Sequence, residues 1–295
     1  MSGPQSFGKG KQMYYYKLLA YFVKYFTRSR QSFHKIIRNK DILVKAKIKY
    51  SNSKLILNIG DFIQFWIFMD GAYEIETLDF VASIIDGKEL FDVGANIGSY
   101  TLSLHNKAKH IYAFEPSRIN IGYLNDNIRG NKIKNVMTVH KAVSDEDNKK
   151  IKLYLSPDTG GNNSIYERFN GEFETVETVT LDSFYANNEI SSVDVIKIDV
   201  EGAEFDVIRG ASEVLDTFKP VLIIEFNKFT SEKAGYDLEQ LYDYLKNMKF
   251  NAYTLQNYKL KEVDRNIFKD EELNQNLILI NEDNQPELPP QYHFI

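Results

Sequence analysis

The stretch Leu90 to Leu102 reads LFDVGANIGSYTL. An apolar strand runs into a turn whose glycines, Gly94 and Gly98, lie four residues apart, and the pattern then becomes helical. A strand that feeds a helix through so bare a turn must pack that helix back onto its own sheet, which makes the sheet parallel at this point. The rest of the chain extends the pattern. HIYAFEP predicts a second strand, SRINIGYLNDNIRG a helix, and NVMTVHKAV a third strand. VDVIKIDV is almost wholly apolar, as a strand buried on both faces should be. A helix over AEFDVIRGASEVLDTF and a fifth strand over PVLIIEF follow. KIKLYLS with ETVETVTLDSF predicts an antiparallel insertion, and NAYTLQ with NLILIN a final antiparallel pair. DLEQLYDYLKNM is amphipathic, with Leu238, Leu241, Leu245 and Met248 at helical spacing.

Charge is unevenly spread. Residues 1–50 hold twelve Lys and Arg against one acid, Asp41, a local charge of +11; the whole chain is −5, so the remainder carries −16. The first segment is also dense in Tyr and Phe, and it is expected to be a basic aromatic helical extension. It would pack on the domain, or contact an anionic membrane or a protein partner through residues 9–40. The acidic body argues against nucleic acid as a partner. Cysteine is absent, which excludes disulfides and thiolate metal sites. With no secretory signal and no run of roughly 20 uncharged apolar residues, the chain is expected to be cytoplasmic, with membrane contact at most peripheral.

A mostly parallel sheet binds ligands at the carboxyl ends of its strands, where strand order reverses. Asp92 to Gly98 should sit there, with glycine allowing close approach of a ligand and the helix start offering free N–H groups to an anion. Glu115 ends the second strand, 17 residues after Gly98, where an acid can accept from both hydroxyls of a ribose. NAD and S-adenosylmethionine both fit so far. The spacing G-A-N-I-G lacks the third glycine of a dinucleotide loop, and Asp92 would repel a pyrophosphate while suiting an ammonium or sulfonium.

Taken together, GAYEIETLDFV, LFDVGANIGSYTL, YAFEPS, KAVSDEDN, GGNNSI, TVTLDSF and DVIKIDVEGAEFDVIRGA resemble the FkbM family of S-adenosylmethionine-dependent O-methyltransferases, in family order from about Gly71 to Asn281. The resemblance implies an α/β, Rossmann-like class I fold with a seven-stranded, mostly parallel sheet and an antiparallel last strand. It divides the chain into an extension (1–50), a methyltransferase domain (51–285) and a C-terminal tail (286–295). It implies that Asp92, Gly94, Asn96 and Gly98 line the methionine end of the cofactor, that Glu115 holds the ribose, and that Ala142, Val143 and Ser144 lie at the adenine. Methyl transfer to a hydroxyl of a sugar, glycan or natural product is the implied activity.

The acceptor would lie near Asp199, with Glu201 two residues on and Glu225 at the end of the next strand. One of these carboxylates could act as the base, Asp199 first among them. Together they could instead hold Mg²⁺. Lys197 points to the same side as Asp199 and would neutralise a carboxylate, and Glu204 would cap the following helix. An NAD(P)-binding oxidoreductase or epimerase, and a non-catalytic protein that keeps this fold, are the alternatives. The first lacks a Tyr-x-x-x-Lys at a plausible place; intact Asp92, Glu115 and Asp199 argue against the second.

Overall fold

The computed structural model describes residues 17–23, 30–38, 40–156, 163–166 and 171–294. The strands, in chain order, are β1 (Leu43–Lys47), β2 (Lys54–Asn58), β3 (Glu89–Val93), β4 (His110–Phe114), β5 (Val136–Val139), β6 (Ala142–Val143), β7 (Lys150–Tyr154), β8 (Phe173–Val179), β9 (Val195–Ile198), β10 (Val221–Asn227), β11 (Phe250–Gln256), β12 (Lys259–Glu262) and β13 (Asn274–Asn281). The main sheet runs β12-β11-β13-β10-β9-β3-β4-β5. β5, β4, β3, β9 and β10 are mutually parallel, and β13 enters antiparallel between β10 and β11.

This is the expected α/β sheet with one strand more than the seven expected. The eighth, β12, folds back on β11 as an edge hairpin, and only one of its residues, Leu260, is buried. KLKE carries too little apolar pattern to announce a strand. The expected antiparallel insertion forms between β7 and β8, but it also takes β6 in parallel, so the expected third strand NVMTVHKAV splits: β5 stays in the main sheet and Ala142–Val143 leave it.

β3 and β9 are buried along their whole length. Alternation sends Phe91 and Val93 to one face of the sheet, against the helices Leu181–Asn187, Glu204–Arg209 and Leu238–Asn247. Leu90 goes to the other face, against the helices Ile75–Ile84 and Ser99–Leu104. From β3 the chain moves outward to β4 and β5, then returns to β9 on the opposite side of β3. Strand order therefore reverses between β3 and β9.

The expected helical extension gives way to a strand before residue 50. β1 pairs antiparallel with β2, and Lys54 and Ile56 donate to Asn131 and Asn127 of the helix Arg118–Gly130. Helical residues 17–23 and the helix Arg30–Ile37 precede it. Phe33 and Ile37 are buried with Leu55, Leu57, Phe65 and Phe68. Residues 9–16, 24–29 and 39 lie outside the described set. Within the expected tail, 286–295, residues 286–294 are described, and Tyr292 is buried and meets Phe80 edge-on.

Candidate active site

At the reversal the two strand ends are pressed together. Asp199 donates its backbone N–H to Val93 O at 3.0 Å. A Cβ on Gly94, whose φ is +86°, would lie 1.9 Å from Asp199 O. Only glycine can bring the β3 loop this close to the β9 loop. Asn96 is also left-handed, at φ 51°, and the chain then enters the helix Ser99–Leu104.

Asp92 points into this first turn. Its Oδ2 accepts from the Thr101 N–H at 3.1 Å and from Thr101 Oγ1 at 2.6 Å. Glu115 reaches back from the end of β4 and accepts from the Asn96 N–H at 2.9 Å and the Ser117 N–H at 2.8 Å. Both carboxyls are buried, and burial raises them, Asp92 to about 6 and Glu115 to about 7.

Two cavities open from the reversal. A narrow one, about 50 Å³, is lined by Glu115, Phe114, Ala142, Val143, Leu153 and Ile165, among others. An apolar slot with an acid at one end suits a flat heterocycle attached to a ribose. The wider one, about 340 Å³, is lined by Asp92, Glu74, Tyr73, Asp199, Glu201 and Glu225, with neutral amides at Gln64, Asn227 and Asn274. Gly94, Asn96, Asp199 and Glu201 line both.

Two of the expected cofactor residues lie elsewhere. Gly98 lines neither cavity; a Cβ there would meet Leu102 and Leu124 at 2.6 Å, so its bareness serves helix packing. Ser144 also lies outside both. Its N–H donates to Val179 O, and its own carbonyl would be 2.1 Å from a Cβ on Gly210. Leu153 and Ile165 went unrecognised, because the insertion brings them to the slot from beyond the third strand. Tyr73 and Glu74 precede the glycine turn and gave no chemical signal beyond their place in GAYEIETLDFV.

In the wider cavity Asp199, Glu201 and Glu225 each bring a carboxylate oxygen within 4.8 Å of the others. Glu201 stands in a left-handed turn at φ 57°. Lys197 is 1% exposed, a buried cation in a strand that is otherwise aliphatic. Its Nζ lies 3.2 Å from Asp199 Oδ2, 3.2 Å from Asn276 Oδ1 and 4.0 Å from Glu74. Burial alone would push the ammonium down; Asp199, Glu74 and Glu225 more than reverse this, so it stays charged. Asn276 and Tyr100 donate in turn to Glu74.

The Glu225 carboxyl is raised well above the usual range by burial and by Asp199, Glu201 and Glu204. Its Oε2 is buried with no hydrogen-bond partner among the described residues. A hard divalent cation has the oxygen donors it needs in this trio, although the Lys197 ammonium competes for Asp199. Glu204, expected as a helix cap, instead ties down the turn before the helix, whose start has no side-chain cap: it accepts from the Gly202 N–H at 3.1 Å and from Tyr236 Oη at 3.0 Å. His140 lines neither cavity; a ring nitrogen lies 3.0 Å from Pro116 O.

The family model for the methyltransferase FkbM domain matches residues 92–252, more than half of the chain. Among curated proteins, Methyltransferase 1 of Beauveria bassiana is 26% identical over 186 residues, covering 56% of this chain and 72% of its own. Hexuronic acid methyltransferase AglP of Haloferax volcanii is 25% identical over 134 residues, 45% of this chain and 54% of its own. The solved structure of a methyltransferase FkbM from Methylobacillus flagellatus KT aligns at 18% identity with a TM-score of 0.46, covering 70% of this chain and 48% of that one. The chain thus spans about half the length of the last two.

Proposed function

The chain belongs to the FkbM methyltransferase family, and on that premise we propose that its two joined cavities hold S-adenosylmethionine and a hydroxyl-bearing acceptor on either side of one shared wall. The observation that carries this reading is the wall itself: Gly94, Asn96, Asp199 and Glu201 face both spaces. The residues suit the cofactor. Glu115 closes the apolar slot as a buried carboxyl, an acceptor at the end where a ribose would lie. Glu115, Ala142 and Val143 would hold the adenosyl half, with Gly94 and Asn96 toward the methionine half. When bound, the cofactor supplies a methyl group on a sulfonium, open to attack by an oxygen in line with the C–S bond.

The chain's own part is to position and to take a proton. Asp199 stands between the cavities and would accept the hydroxyl proton as the oxygen gains the methyl. Lys197, with its Nζ 3.2 Å from Asp199 Oδ2, keeps that carboxylate oriented. Glu201 and Glu225 complete the acidic mouth; as a trio with Asp199 they would hold Mg²⁺, if the reaction uses it, and lower the acceptor's pKa.

A sugar is the acceptor class that the wall supports best. Gln64, Asn227 and Asn274 offer neutral donors and acceptors, and Tyr73 and the exposed Phe62 offer ring faces. A relative named for hexuronic acid methylation points to the same class. Calorimetric titration tests the core of this reading: S-adenosylhomocysteine should bind in the micromolar range and NAD should not. NAD binding without S-adenosylhomocysteine binding would reject it.

One observation also favours a surface role for the amino-terminal segment. Ala20 and Val23 are buried, yet Leu18 and Phe22 of the same helical turn pair are 55% and 63% exposed. No helix among the described residues is long and apolar enough to cross a membrane. An apolar flank on a basic segment suits the face of an anionic bilayer. Co-sedimentation with anionic vesicles at low salt should be lost in a Leu18→Ser, Phe22→Ser variant; a full chain that never sediments would remove this role.

A further inference from the structure

The wider cavity is acidic on nearly every side. Its described lining includes five carboxylates, Glu74, Asp92, Asp199, Glu201 and Glu225, against one cation, Lys197, with no arginine or histidine. The Lys197 ammonium is already turned onto Asp199 and Asn276, each at 3.2 Å, and is almost wholly buried. A carboxylate on a ligand would therefore meet no guanidinium or open ammonium among the described residues, and the charged groups around it would be mostly of its own sign. A proton on Glu225 would still leave the lining at −3, and S-adenosylmethionine, with a net charge of +1, would bring it only to −2.

The unmet polar capacity points the same way. Glu225 Oε2, buried without a partner among the described residues, calls for a donor. The remaining polar wall is made of neutral amides. Resting on the sugar-acceptor reading above, we propose that this cavity takes a sugar ring without a carboxylate, neutral or amine-bearing, and rejects a hexuronate. Like charges a few ångströms apart in a half-buried site separate two such rings on the order of 100-fold.

The test uses the full chain with saturating S-adenosylhomocysteine and three probes: the p-nitrophenyl glycosides of glucose, glucosamine and glucuronic acid. Binding is measured by calorimetry in EDTA and again in Mg²⁺. The glucoside or glucosaminide should bind, and the glucuronide should bind roughly 100-fold more weakly in both buffers. Asn274→Arg places a guanidinium on the exposed end of β13 at the cavity wall and should narrow that gap at least 10-fold. S-adenosylhomocysteine binding by the variant reports that it is folded.

A glucuronide that binds as well as the glucoside overturns the inference and leaves the sugar reading standing. A glucuronide that binds only with Mg²⁺ also overturns it, and assigns the three acids to a metal. If S-adenosylhomocysteine binds and no glycoside does, the sugar reading fails and the inference falls with it.

Discussion

Glu115 carries the clearest titration. Its carboxyl is raised from 4.5 to about 7 by burial, so the native state holds this proton more tightly than the unfolded chain. Without ligand, its contribution to stability therefore falls as pH rises through the window from 4.5 to about 7. Hydrogen bonds from ribose hydroxyls favour the carboxylate and reverse the shift. S-adenosylhomocysteine should then bind with release of part of a proton at pH 7, and its affinity should rise between pH 6 and 8 and level off above. Calorimetry in two buffers of different ionisation heat measures the release. Glu115→Gln should abolish it and weaken binding by about 1.5–3 kcal/mol, roughly 10- to 150-fold. At Asp199, the Asn variant should bind S-adenosylhomocysteine as the wild type does and lose on the order of 10²–10⁴ in turnover. Unchanged turnover would take Asp199 out of the chemistry. Sequence placed these two acids because each ends an apolar strand of the parallel sheet, Glu115 in YAFEP and Asp199 in VIKID. Lys197 was seen, but its ties to Glu74 and Asn276 were not, since they join three distant segments.

Elements were legible where burial imposes a period. VDVIKIDV and ELFDV announce strands covered on both faces, and DLEQLYDYL announces a helix by its apolar stripe, whereas LDSF, expected to continue the insertion strand, instead opens the helix Leu181–Asn187 behind its Thr180 cap. β1 was not recognised although Val44, Ala46 and Ile48 alternate with Lys45, Lys47 and Lys49. Those lysines continue the basic run of the preceding helix and masked the change from helical spacing to alternation. Gly94 shows what a loop between elements contributes. Gly94→Ala must adopt φ +86° and displace the Asp199 carbonyl, two penalties that together exceed about 2 kcal/mol. Urea denaturation should record that loss, and cofactor affinity should fall with it, because the β3 and β9 loops can no longer close. An alanine variant with wild-type stability would mean that the two strand ends have slack which the geometry does not show.

For the molecule as a whole, the amino-terminal helix is part of the body. Phe33 and Ile37 share a core cluster with Phe65 and Phe68, and that cluster continues to Ile97 and Leu102 in and after the glycine loop. Arg30 reaches Asp70 at 2.7 Å across the same seam. Phe33→Ala should cost about 3 kcal/mol in urea denaturation, and deletion of residues 1–38 should lower the melting temperature rather than merely detach an appendage. A truncated chain that melts like the full one would contradict this packing. The wider cavity has its own dependence on the far end of the chain. Glu74 is joined by Asn276, 202 residues later, and Asn276 also holds Lys197. The glycine turn, Glu115 and the Ala142–Val143 pair are all synthesised before residue 150, whereas the opposite wall waits for β13. On the proposed reading, synthesis delivers the loop and strand ends of the cofactor side long before the wall that would enclose an acceptor, and a chain cut short before residue 274 leaves Lys197, the partner of Asp199, without Asn276 to steady it.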